Sequence, residues 1–127
     1  MTETLANQEH LGVVLEGADA LAQWLEIHPE TVLDLEGASL DGIDLRDASL
    51  RDANLKGANL TGALLTRASL AGADLQEADL TGAEMGRASL AGARCSRANL
   101  TNVNLFWGDL KRADLQDATL RWSRLVR

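Results

Sequence analysis

The chain has 127 residues, one domain's worth, with 46% hydrophobic and 24% charged residues and a formal net charge of −7. Three Trp, one Phe and no Tyr cannot fill an irregular core with large rings, so the Leu and Ala that dominate must pack in a regular way. A single Pro and 11 Gly exclude a collagen-like or low-complexity chain, and the lone Cys95 excludes an internal disulfide.

At the N-terminus, Met1-Thr2-Glu3-Thr4 places no basic residue before an apolar run, so no signal peptide is expected. No stretch approaches the roughly 18 apolar residues of a membrane span. The expected location is cytoplasmic, with no membrane contact. Residues 1–33 carry six of the 19 acids and none of the 12 bases, which leaves the rest of the chain at −1. The acidity belongs to this leader.

Within the leader, Leu11, Val14, Leu15, Ala18, Leu21, Ala22 and Leu25 follow the i, i+3, i+4, i+7 stripe of an amphipathic helix over 8–27. Asn7 supplies an N-cap and Pro29 a stop, while Gly12 and Gly17 weaken the run and make Gly17 a candidate break. Residues 1–32 are therefore read as a helical cap that shields the edge and the apolar end of the body of the chain. A partner-binding helix is the alternative. His10 and His28 lie far apart on it and suggest no catalytic or metal role.

From Leu33 the chain falls into fives. Of the 19 positions 35, 40, 45 and onward to 125, 17 are Leu, with Met85 and Cys95 the exceptions. Two residues earlier, 14 of 19 are Ala. The unit is A-[D/N/S]-L-x-x, as in Ala53-Asn54-Leu55-Lys56-Gly57. A step of five carries an α-helical residue about 140° off its face, and an odd step alternates the faces of a strand. The backbone must instead bend once per repeat, so that Ala and Leu point inward together. Gly at positions such as 57, 62 and 82 eases the corner.

This pattern over 33–127 closely resembles the pentapeptide-repeat family. The resemblance implies an all-β solenoid, a right-handed quadrilateral β-helix with four repeats per coil and nearly five coils. Columns 20 residues apart lend independent support: Asp74, Arg94 and Asp114 alternate in charge, as do Glu77, Arg97 and Asp117. These alternations are best read as ion pairs between coils. Ser49, Ser69 and Ser89 form another column, and Thr61, Thr81 and Thr101 a fourth.

The repeat runs to Leu125 with no comparable cover. Phe106, Trp107 and Trp122 fall at outward positions in the last coil, so Phe106, Trp122 and Leu125 mark a candidate oligomer end. An end-to-end homodimer through the C-terminal coil is the favoured expectation, as it is for some members of the family that the chain resembles. Another protein partner, or Trp122 folding over the end as a self-cap, are the alternatives. A second candidate is the column Arg67, Arg87, Trp107 and Arg127, where guanidinium planes can stack on the indole as a partner-binding stripe; a solvated stripe with incidental stacking is the favoured reading of it.

No residues converge as acid, base and nucleophile, and no phosphate loop or metal cluster is visible. Cys95 takes an inward Leu position and is read as a buried thiol. The chain is expected to be a non-enzymatic protein-protein interaction scaffold, with no cofactor and no direct nucleic-acid binding. The alternative is a DNA-mimic inhibitor of a type II topoisomerase (DNA gyrase), as the resemblance also allows. A body of −1 opposes it, since a duplex about 23 Å long carries roughly 14 phosphate charges.

Overall fold

The backbone does bend once per repeat, and the bend is a hydrogen-bonded turn. In each unit the N–H after the corner donates to the carbonyl of the preceding inward Leu, as Ala58 does to Leu55 at 3.0 Å. The residue before it adopts positive φ, 68° at Gly57, as the third position of a type II turn requires. Glycine holds seven of these corners; eleven others are held by non-glycine residues at φ of 59–66°. The computed structural model describes residues 6–125.

Successive coils pair in parallel. Among the described residues, fifteen isolated bridges each join a residue to the one 20 further on, from Asp34 with Asn54 to Asn104 with Arg124. Four repeats therefore complete one turn. Each side of a coil makes three backbone bonds to the next: the Leu35 N–H donates to Asn54, the Gly37 N–H to Lys56, and Leu33 accepts from Asn54, at 2.7–2.9 Å. One bridge per side is too short to make a long strand. The fold is thus a stack of corners joined by single rungs.

The inward Ala and Leu columns form one continuous core from Leu33 to Leu105, including Met85 and Cys95, each at most 3% exposed. No polar or charged residue is buried among the described residues. Small Ala beside large Leu fills the interior layer by layer, and the coils share their burial because none could stand alone.

The N-terminal run is two helices, α1 (Gln8–Leu15) and α2 (Ala18–Ile27), broken at Gly17 with φ of 105°. The Asn7 side chain accepts from the Glu9 and His10 N–H groups, which fixes the start of α1. Val14 and Leu21 are fully buried on the solenoid end, and Leu11, Val13, Ala18, Trp24 and Leu25 pack around them. The leader also joins the first rung. Asp34 donates its N–H to His10 Nδ1 at 3.0 Å and accepts from the Asn7 N–H at 2.9 Å. These are the two bonds that a preceding coil would have made to Asp34. Ser39, Asp44 and Ser49, the matching residues on the other three sides, have no such cover among the described residues and are exposed. The helices cover the apolar end except at the half-buried Ile43, and the edge on one side.

The C-terminal end is open. Leu110, Leu115 and Leu120 are only half-buried and Leu125 is 41% exposed, as no further coil covers them among the described residues. Their counterpart Leu90 donates its N–H to Asp109 at 2.7 Å; the N–H groups of Leu110, Leu115 and Leu120 make no such bond among the described residues. Trp122 is 74% exposed, so it does not fold over the end, and the self-cap reading is overturned. Its corner position, at φ of 62°, points the indole away from the axis.

Candidate functional site

The arginine–indole column forms in part. Arg87 lies over Trp107, its guanidinium carbon 5.9 Å from the ring centroid. Arg67 turns the other way and makes a two-pronged contact with Asp47, at 2.7 and 3.1 Å. Asp47 stands 20 residues before Arg67, directly above it in the stack. The pairing holds the Asp47 carboxyl below its usual range, chiefly through this hydrogen bond. Arg127 lies outside the described residues. Arg87 with Trp107 is thus a local pair at the margin of the last coil.

The two charge-alternating columns differ from each other. Arg94 reaches Asp74 at 3.8 Å, a long contact. The reason is that Gln76 already occupies the carboxylate, with its backbone N–H at 3.1 Å and its side-chain amide at 3.0 and 3.2 Å. Arg97 makes no ion pair with Glu77 or Asp117 among the described residues, a correction to the reading of both columns as ion pairs. The hydroxyls of Thr81 and Thr101 are likewise turned inward along the chain, onto Asp79 and Asn99 at 2.6 Å. Local turns capture these side chains before neighbouring coils can.

Between the helix junction and the first two coils lies a cleft of about 660 Å³, lined by Leu15–Asp19, Ile43, Asp44, Arg46, Asp47 and Arg67. Its two guanidiniums are already neutralised, Arg67 by Asp47 and Arg46 by Asp44 at 2.6 Å. The Arg46 side chain, then its N–H, pulls the Asp44 carboxyl down to about 2. The cleft holds no nucleophile beside a base. No group of three metal-ligating side chains occurs among the described residues, and no helix is long and apolar enough to cross a membrane.

Cys95 is fully buried, and burial first, then the Asp114 and Asp74 carboxylates, push its thiol up to about 12. Such a thiol is a packing group. The two histidines, which look remote in the sequence, meet through one ring. Trp24 makes an edge contact with His10, centroids 5.4 Å apart, and stacks on His28 at 4.1 Å. His28 Nδ1 lies 3.0 Å from the Trp24 carbonyl and donates to it, whereas His10 Nδ1 accepts from Asp34. The trio fastens the helices to the first coil.

What remains as a site is the open end. Phe106, Trp107, Trp122 and Leu125 are 36%, 61%, 74% and 41% exposed, with the aromatics at the corners on either side of the Asn104–Arg124 rung and Leu125 in the inward register below Leu105. A pocket of about 210 Å³ beside Trp122 is lined with Glu84, Asn102, Asn104 and Arg124, which gives this apolar rim polar neighbours.

A family model described as pentapeptide repeats, in eight copies, matches residues 34–67 and 68–105. Among solved structures, a pentapeptide repeat protein of the Arabidopsis thaliana thylakoid lumen is 33% identical with a TM-score of 0.57. The match covers 71% of this chain and 59% of that one, so the chain spans less than two thirds of this relative's length. A pentapeptide repeat protein from Nostoc PCC 7120 is also 33% identical, with a TM-score of 0.54, over 75% of this chain and 74% of that one. Curated protein sequences gave no significant match.

Proposed function

The chain belongs to the pentapeptide-repeat family, and from that premise we propose that it is a non-enzymatic protein-binding scaffold whose interface is the open C-terminal coil. On this reading residues 33–127 are a right-handed quadrilateral β-helix and residues 1–32 its helical cap. One observation carries the proposal: the last coil leaves Leu110, Leu115, Leu120 and Leu125 and three aromatic side chains incompletely covered, whereas the core from Leu33 to Leu105 is sealed. An uncovered solenoid end exposes both apolar surface and unpaired backbone groups, and a docking partner satisfies both at once. Arg87 on Trp107 extends the surface onto the adjoining flank. A protein partner fits this end, a second copy of the chain included.

The test is site-specific photo-crosslinking of the full chain. A photoreactive residue at position 122 should capture protein, and the same residue at Leu64, on a mid-rod side, should not. Capture at 64 alone, or at neither position, overturns the interface.

A further inference from the structure

Every large apolar side chain that is exposed among the described residues lies at one of the two ends. Leu15, Ile27 and Val32 are 56%, 76% and 59% exposed on the helical head; Phe106, Trp107, Trp122 and Leu125 are the tail set. Between Leu33 and Leu105 there is none. The middle of the rod is therefore solvated on its sides, and the exposed apolar surface is confined to its two end regions.

The two ends carry opposite charge. Residues 1–33 hold six carboxylates and no Lys or Arg, and five of them, Glu9, Glu16, Asp19, Glu26 and Glu30, are exposed on the described head. The last coil, residues 109–127, holds Lys111, Arg112, Arg121, Arg124 and Arg127 against Asp109, Asp114 and Asp117, a balance of +2. Arg121 and Arg124 are exposed and make no ion pair among the described residues, and neither do the five head carboxylates. Each rod thus has an acidic apolar head and a basic apolar tail.

We infer that the chain self-associates head to tail, the C-terminal coil of one copy seating on the α1–α2 cap of the next. A tail-to-tail dimer would oppose two surfaces of the same net positive sign, and a head-to-head dimer two sets of the five exposed head carboxylates. The head-to-tail contact pairs unlike charges around two apolar surfaces, and like-charge juxtaposition counts against the other two. Because the surfaces joined are different, the contact is heterologous, and each added copy presents a fresh head and a fresh tail. Assembly is then open-ended. This inference rests on the C-terminal coil being an interface, and it names the occupant and its orientation.

The test is sedimentation velocity of the full chain at about 50 mM and about 500 mM salt, where the screening length falls from more than 10 Å to well below it. At low salt the wild type should show species larger than a dimer that grow with concentration, and at high salt these should shrink toward monomer. A head variant (Glu16→Lys, Glu26→Lys and Glu30→Lys) and a tail variant (Arg121→Glu and Arg124→Glu) should each stay monomeric alone. Mixed in equal amounts they should assemble again, since a basic head then meets an acidic tail. Unchanged melting curves show that both variants fold. A dimer that survives head reversal, or a wild type that is monomeric at every concentration, overturns the inference. Crosslinking of another protein at position 122 in that second case leaves the interface reading intact, so the two failures are distinguishable.

Discussion

Eleven corner residues hold a backbone conformation that glycine would adopt without cost. A left-handed φ costs an L-residue about 1 kcal/mol, so Glu77→Gly should raise stability by roughly that amount, read in a denaturant melt. The reverse change at Gly82 should cost a similar amount, because its added Cβ meets open space and only φ is strained. Gly72→Ala should cost about as much as the change at Gly82, since the Asp52 carboxylate that its Cβ would meet ends an exposed side chain that can swing away, and the strain in φ is common to both. A loss at 72 well above that at 82 would show that Asp52 is held in place. At Cys95, a thiol pushed to about 12 and sealed in the core should resist iodoacetamide at neutral pH and react fully once the chain is unfolded. At Asp44 the sign runs the other way. Its carboxyl is lowered to about 2, so the Arg46 contact favours the folded state above pH 4 and is lost as pH falls through 2. Arg46→Gln removes the side-chain contact but keeps the backbone N–H bond, so it should move the Asp44 titration, followed by NMR, part of the way back toward the ordinary carboxylate range.

For the elements, legibility tracked regularity. Leucines five apart can converge only if the chain bends, and the resulting core from Leu35 to Leu105 lies where the period puts it. The break at Gly17 was equally visible, since glycine is where a helical stripe yields. Contacts fixed by docking left no periodic trace. His10 and Asp34 are joined across 24 residues with no motif between them, and the placing of Trp24 between two histidines depends on the angle between α1 and α2. The Asp47–Arg67 pair was within reach, because the column arithmetic that aligned Asp74 with Arg94 aligns these two as well. Reading that column as stacked arginines passes over it. The leader's grip on the first rung has a measurable counterpart. His10→Leu removes the acceptor for the Asp34 N–H, and should cost about 1 kcal/mol and speed amide exchange at Asp34 while leaving Leu80 protected.

Taken whole, the rod is nearly neutral in its body, and its polarity resides in its ends. That distribution counts against imitation of duplex DNA. A helix of comparable length, on the order of 23 Å, would present roughly 14 phosphate charges, while residues 34–127 sum to −1. The protein should leave DNA gyrase supercoiling unchanged at micromolar concentration, and inhibition in that assay would restore the alternative. The bridges that stack the coils are also close to interchangeable, each joining a residue to the one 20 further along. Coils so alike invite a slipped alignment, in which one turn is skipped and its neighbours close over the gap with most of their bonds intact. The contacts of Asn7 and His10 on Asp34 break that degeneracy. They single out one rung as the origin from which the others are counted, and a chain deprived of them would lose its starting mark before it lost its core.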